Sequence, residues 1–344
     1  MDGENKECSI LISLSNVQER EAEWLVPGYM PKGQINVWAG DGGSGKTTAW
    51  CGLVAAISAG HRTFFDKEVP DEFTGERPEK VIFFSSEDSL EYTLKARLRK
   101  AGANMDNIYS VSLRDERFSQ IKFDSPLLKA LISEVRPALV VFDPLQAFIP
   151  PDIQMGQRNA MRNCLNPLIG LGEEYGTTSL IIVHTNKRQG TYGRNRVADS
   201  ADIWDIARSV VIIGQTQERD MRYMSQEKCN YGELQPTVLF KINDGVAEFK
   251  GYTDRRDADF VHERDYNAYQ APQRQDAEKF VLNFLKNGKK PTAELDGAAK
   301  AAGISKNTLS RAKTKLRERG LLGGKSEGFG NKKTYYSYLI DESL

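Results

Sequence analysis

Gly40-Asp41-Gly42-Gly43-Ser44-Gly45-Lys46-Thr47 sets four glycines, a lysine and a hydroxyl at the spacing G-x-x-x-x-G-K-T. Chemistry with a phosphate chain needs these residue types. Glycines let the backbone turn several N–H groups inward toward anionic oxygens, and a following helix adds its positive end. Lys46 supplies a mobile cation for β and γ phosphates, and the Thr47 hydroxyl is a ligand for Mg²⁺. The pattern therefore predicts ATP, with Mg²⁺, over Gly40 to Thr48.

Four further positions have the right chemistry if they meet this loop. Val140-Val141-Phe142-Asp143 is an apolar run ending in a carboxylate, the place of a Walker B aspartate that holds Mg²⁺ through water; Asp143-Pro144 also reads as an ordinary turn opener. Glu87, in Phe84-Ser85-Ser86-Glu87-Asp88, is the candidate base that orients the attacking water. Asp88 competes with it, and either can instead cap a helix starting near Ser89. His184, at the end of Ile181-Ile182-Val183-His184, can read the γ phosphate or serve a structural role.

A sheet must bring these positions to one edge. Short apolar runs at Gln34 to Ala39, Val81 to Ser85, Leu139 to Phe142, Leu180 to Val183 and Val210 to Ile213 alternate with helical stretches. That alternation predicts an α/β fold, a mostly parallel twisted sheet with helices on both faces. Leu239 to Ile242 and Val246 to Phe249 flank Asn243-Asp244-Gly245 and predict a closing hairpin. The expected organisation is an extension over 1–22, an ATPase domain over 23–251, a charged linker over 252–275 that carries Pro272, and a small domain over 276–344. In that last stretch helices are expected near Phe280 to Leu285, from Thr292 to Ala302, and from an N-cap at Ser305 to Arg319, before a glycine-punctuated hairpin. This is a winged-helix pattern.

Bulk composition narrows the class. With 344 residues, 40% of them hydrophobic, two domains are expected. Cys8, Cys51, Cys164 and Cys229 form no C-x-x-C pair, and His61, His184 and His262 are scattered, which argues against a zinc ribbon, a disulfide framework and a metal cage. No apolar run approaches the roughly 20 residues of a membrane span, and the start lacks a signal sequence, so a cytoplasmic protein is expected. Net charge is zero, yet from Ala271 onward 15 Lys and Arg face 8 Asp and Glu. A basic tail favours a polyanion partner.

The chain resembles the RecA-like hexameric ATPases, and within them the RepA-like replicative helicases of plasmids and phages, over roughly Glu23 to Gly251. The likeness runs in order through Trp24-Leu25-Val26-Pro27-Gly28, Pro31-Lys32-Gly33, Ala39 to Thr48, Ser85-Ser86-Glu87-Asp88 and Val141-Phe142-Asp143-Pro144. It continues through His184-Thr185-Asn186-Lys187, Ala207-Arg208-Ser209 and Lys228-Cys229-Asn230-Tyr231-Gly232. It implies a RecA-like P-loop ATPase domain in which Glu87 is the catalytic carboxylate and His184 the γ-phosphate sensor. Arg208 would be an arginine finger reaching a neighbouring subunit's ATP, with Lys228 beside it. The implied assembly is a homo-oligomeric ring, a hexamer; a primase or initiator would be a separate protein.

Two regions are expected on nucleic acid. Lys187, Arg188, Arg194 and Arg196, interleaved with Gly190, Tyr192 and Gly193, form a basic loop suited to tracking a backbone; the resemblance implies that it grips single-stranded DNA in the ring channel, while a merely solvated loop is the plainer alternative. Phe148 to Arg162 is a second channel-loop candidate. In the tail, Lys306, Arg311 and Lys313 lie on the helix that would enter a major groove, with Leu309, Ala312 and Leu316 facing the core; Lys332 and Lys333 on the wing would meet duplex DNA phosphates. Winged helices also dock proteins.

Overall fold

The computed structural model describes residues 12–65, 77–153, 158–186, 191–197, 201–328 and 333–340. Lys187, Arg188 and Lys332 lie outside them. Two compact units divide the chain, Met1–Phe260 and Val261–Leu344.

In the first unit β1 (Trp24–Val26) and β2 (Met30–Pro31) make a short antiparallel ribbon. Then come β3 (Ile35–Gly40), α1 (Lys46–Ala59), β4 (Val81–Ser85), a π-helical turn over Leu90–Leu94, α2 (Lys95–Lys100) and β5 (Ile108–Tyr109). They are followed by α3 (Pro126–Val135), β6 (Leu139–Asp143), α4 (Arg158–Tyr175), β7 (Thr178–His184), α5 (Ala201–Ile206) and β8 (Ser209–Gln215). The strands β9 (Met221–Cys229), β10 (Thr237–Asn243) and β11 (Val246–Thr253) complete the sheet.

The sheet order is β11-β10-β9-β8-β3-β7-β6-β4-β5. From β8 to β5 all pairings are parallel; β9, β10 and β11 extend the sheet antiparallel. Every residue of β3, β4 and β6 is buried, as strands covered on both faces require. The two-residue alternation sorts them. Val37, Phe84, Val140 and Phe142 pack with Leu128 of α3, Leu165 of α4 and Ile203 of α5. Trp38, Phe83, Val141 and Ile182 pack with Leu53 of α1 and Leu98 of α2 on the opposite face. The mostly parallel sheet flanked by helices is the expected fold class.

The register puts the chemistry at one edge. Gly40 pairs with His184 across β3 and β7, and Ser85 with Asp143 across β4 and β6. The carboxyl ends of β3, β7, β6 and β4 therefore converge. The expected hairpin is present: Asp244 and Gly245, with φ of +47° and +80°, form its two-residue turn.

Two segments differ from the sequence expectation. β9 carries no strong apolar signal because its buried centre includes Ser225 and Gln226; the Gln226 amide donates to Gly28 O (3.0 Å) and accepts from Gln235 N (2.8 Å), so polar residues are satisfied inside the sheet. The segment expected as a linker, 252–275, carries the end of β11 and much of α6 (Asp257–Leu285). Its Arg, Gln and Ala residues are good helix formers, and Asp257 and Asp259 in its first turn suit the helix dipole; helix propensity outweighed the missing apolar period.

The second unit contains β12 (Lys290–Pro291), α7 (Thr292–Ala301), α8 (Lys306–Glu318), β13 (Leu322–Glu327) and β14 (Thr334–Leu339), the strands antiparallel in the order β12-β14-β13. Ser305 caps α8 by accepting from Thr308 N at 3.2 Å. Val281 and Leu285 from the end of α6, Leu295 and Ala299 from α7, Leu309 and Leu316 from α8 and Leu322 from β13 form its core.

Candidate active site

β3 ends at Gly40, and no other residue fits there: a Cβ would lie 2.4 Å from Ile213 O and 2.7 Å from Ser44 Oγ. Gly43 and Gly45 hold φ of +75° and +99°, which favour glycine, and Gly45 hands the chain to α1 without any side-chain cap. The first-turn N–H groups of α1 have no partner within the helix, so they form an anion-binding end. The buried Ser44 Oγ has no hydrogen-bond partner and lies in the same loop. Uncapped donors, an orphaned hydroxyl and a lysine suit a phosphate chain.

Lys46 Nζ folds over the loop, donating to Gly40 O at 2.8 Å and Asp41 O at 2.9 Å. Burial lowers its pKa, while the charges of Asp143, Glu87 and Asp41 act in the opposite sense. A cavity of ≈ 310 Å³ opens at this edge, lined by Gly42, Lys46, Thr47, Glu87, Asp143 and His184 among others.

The buried carboxylate of Asp143 accepts from Trp50 Nε1 at 2.7 Å. Its pKa is pushed up to about 6, first by burial and also by Glu87 and Asp88, against the opposing effects of the Trp50 bond and Lys46. Thr47 and Asp143 border the cavity together, so a hydroxyl and a carboxylate are available to hold Mg²⁺ beside phosphates.

Glu87 and His184 meet: His184 Nε2 lies 3.2 Å from Glu87 Oε1, and His184 Nδ1 lies 3.5 Å from Lys46 Nζ. An ammonium can only donate, so Nδ1 accepts and the Nε2–H donates to Glu87. The three side chains form one line from loop cation to carboxylate. Asp88 lines the same cavity but pairs with Arg97 at 3.3 Å, and Ser89 itself caps the following turn by accepting from Tyr92 N at 3.3 Å. That leaves Glu87 as the carboxylate on His184.

Three comparisons with known proteins bear on this arrangement. The AAA domain family matches residues 6–190, more than half of the chain. The chain belongs to that family. No curated protein matches this AAA-domain chain in sequence. Among solved structures it is similar to a KaiC-like protein from the hyperthermophilic archaeon Pyrococcus horikoshii OT3, with 15% identity, a TM-score of 0.46, and coverage of 67% of this chain and 100% of that one.

Other expected site residues of the AAA-domain chain fall elsewhere. Ser209 pairs with Asn36 and Ile213 with Gly40, and Arg208 precedes Ile213 by five positions. At about 3.3 Å per residue it lies roughly 17 Å from the phosphate-loop edge. Lys228, opposite Val210, is at the same far edge. Its Nζ donates to the carbonyls of Trp204 (2.8 Å), Asp205 (3.1 Å) and Ala207 (2.7 Å), closing the end of α5. Both stand at the end of the sheet away from the phosphate loop of their own chain.

The DNA candidates also divide. Arg194 pairs with Asp205 at 2.9 Å and stays half exposed. Arg196 corrects the expectation: it is 2% exposed, and its guanidinium is held by Asp41 (3.0 Å), Tyr223 (3.2 Å) and Asp257. It offers nothing to a strand in this arrangement. In the second unit Lys306 and Arg311 are exposed on α8, and Lys333 is exposed with its ammonium 5.4 Å from the Tyr335 ring centre. Lys313 is a second correction, because it turns inward and pairs with Asp296. Leu309, Ala312 and Leu316 face the core as expected.

Sequence reasoning missed Trp50, Arg97 and the partners of Arg196. Trp50 had a signal: three residues beyond Thr47, it falls on the same face of α1. Arg97 and Asp257 had none, since exposed helices carry such charges routinely.

Proposed function

We propose that this chain is an ATP-hydrolysing, ring-forming DNA helicase, coupling hydrolysis at subunit interfaces to movement along single-stranded DNA. The observation that carries the reading is the division of the site. Lys46, Glu87 and His184 stand at one edge of the sheet, while Arg208 stands at the other, beyond reach of its own phosphate loop. In a ring, each subunit's far edge can face its neighbour's phosphate loop.

In this mechanism the amides of the α1 N-terminus and Lys46 bind the phosphates of ATP. Glu87 orients a water and takes its proton, and the Nε2–H of His184 holds that carboxylate in place. Thr47 and Asp143 would hold Mg²⁺, which would supply positive charge for the phosphoryl oxygens. Arg208 from the neighbouring subunit would add a further cation beside Lys46; such fingers are worth about 10³–10⁵ in rate. The loop around Tyr192 and Arg194 contacts the strand.

Mixing two inactive variants tests the shared site. Lys46→Ala and Arg208→Ala, each inactive alone, should regain hydrolysis together, because some interfaces then pair an intact phosphate loop with an intact finger. No recovery from co-assembled variants would count against it.

A second reading is favoured by the exposed Lys306 and Arg311 on α8, a basic face on what we read as a winged-helix unit: an ATP-switched initiator or regulator bound to a duplex site. A strand-exchange recombinase shares the same core and would assemble filaments instead of rings. Loss of strand-dependent ATPase on removing the charges of Lys187, Arg188 and Arg194 favours the helicase. Specific duplex binding that survives the same change, with no strand dependence at the outset, favours the regulator.

A further inference from the structure

The loop after β7 is tied down at its base. Asn186 N donates to Arg196 O at 2.9 Å, and Thr185 bridges to Val197. The residue that closes this base, Arg196, also reaches the phosphate loop through Asp41 Oδ2 at 3.0 Å. Asp41 Oδ1 accepts from the Thr185 hydroxyl, and Thr185 N donates to Gly40 O at 3.2 Å. One carboxylate of the phosphate loop thus holds both ends of the neighbouring loop's base.

Behind Arg196 the network is buried and closed. Asp257, the first residue of α6, accepts from Arg196 and from Tyr223 Oη at 2.7 Å, and its Oδ2 accepts from Gly193 N at 2.8 Å. Asp257 N donates to Glu227 Oε1 at 3.0 Å, and the Tyr223 ring stacks on Phe260 at 4.1 Å. A guanidinium suits this place because its fixed fork bonds two carboxylates and a hydroxyl at once, which a lysine cannot match. Burial opposes its charge, and Asp257, Tyr223 and Asp41 together outweigh that, so it stays charged.

We propose that Arg196 is a positioning residue that couples the phosphate loop to residues 191–197, so that filling the nucleotide site changes how those residues are held. Lys46 and Arg196 both bear on Asp41, the first through its carbonyl and the second through its carboxylate. When Lys46 leaves the Asp41 carbonyl for a phosphate, the peptide that positions the carboxylate is released on one side. Arg196 carries that change to Asn186, Gly193 and Asp257. The coupling rests on nucleotide binding at Gly40–Thr47, as proposed above, but not on the partner being DNA.

Hydrogen exchange of the full-length protein, with and without saturating ATPγS and Mg²⁺, tests it, with binding measured separately by a fluorescent ATP analogue. In the wild type the amides of residues 193–197 should change exchange rate on nucleotide binding by about tenfold, within the range of typical site-to-site coupling. In Arg196→Lys and Asp257→Asn that response should fall to about twofold or less although nucleotide is bound, whereas a purely structural role would loosen the loop equally in both states. Protection in β3 and β7 reports that each variant is folded. Should either fail that check, Tyr223→Phe, which keeps the stacked ring and loses one hydroxyl, provides the comparison and should also diminish the response. Nucleotide binding with no change at 193–197 in the wild type, or a full response in the folded variants, would overturn the coupling alone. Absence of nucleotide binding by the wild type would overturn the coupling and the ATP reading together.

Discussion

Trp50 Nε1 donates to Asp143 Oδ2 at 2.7 Å, tying the helix that follows the phosphate loop to the end of β6. The bond holds the carboxylate toward its ionised form against burial, which pushes its pKa up to about 6. Metal binding needs that ionised form. Asp143 takes up a proton more readily folded than unfolded, so its contribution to stability is present below about 3.8 and is lost as pH rises through about 6. The kcat/KM for ATP should move the other way, falling as pH drops through about 6.

Trp50→Phe should move that acid limb upward by about one pH unit, since a bond to a charged group is worth roughly 1.5–3 kcal/mol and a pKa unit about 1.4 kcal/mol. A pH–rate profile of both proteins checks it. An unmoved limb would mean that Asp143 does not govern it.

Glu87→Gln removes the carboxylate that His184 contacts and keeps its shape. Single-turnover hydrolysis should slow by about 10²–10⁴-fold, with nucleotide affinity changed only a few-fold. Near-normal hydrolysis would dismiss Glu87 as the base.

Lys228 and Arg208 should separate by readout. Lys228→Ala frees the three carbonyls at the end of α5 and should lower unfolding free energy by about 1.5–3 kcal/mol. Arg208→Ala should leave the denaturation midpoint near wild type and reduce hydrolysis of the assembled protein. Equal destabilisation by both would make Arg208 structural.

In the second unit, Lys306→Ala with Arg311→Ala should weaken duplex binding and reduce the salt slope by about 2, at roughly 0.9 per phosphate contact. Lys313→Ala should act on stability instead, because Lys313 is buried against Asp296. Duplex affinity unchanged by the double variant would point to a protein partner for this face.

Much of this site was legible because its residues mark strand ends. An apolar run followed at once by Gly40, Asp143 or His184 gives both the element and the edge at which the polar group emerges, and parallel pairing forces those edges together. What stayed illegible depends on contacts distant in sequence. Arg196 and Lys313 are basic residues in basic stretches, and it is Asp41, Tyr223 and Asp257 for the first, and Asp296 for the second, that turn them inward. β9 was hidden because Gln226 satisfies its amide across the chain, at Gly28 and Gln235. Residues 252–275 lack an apolar stripe, so their helix rests on local propensity, which the pattern of hydrophobic residues does not register.

Steady-state ATP hydrolysis with and without single-stranded DNA, for the wild type and Arg208→Ala, together with the solution mass in the presence of nucleotide, decides whether the subunits share a DNA-coupled site. The expected result is a multimer whose hydrolysis rises with single-stranded DNA, and an Arg208→Ala protein that binds ATP, assembles and hydrolyses little. A nucleotide-bound monomer, indifferent to DNA and to the loss of Arg208, would contradict it.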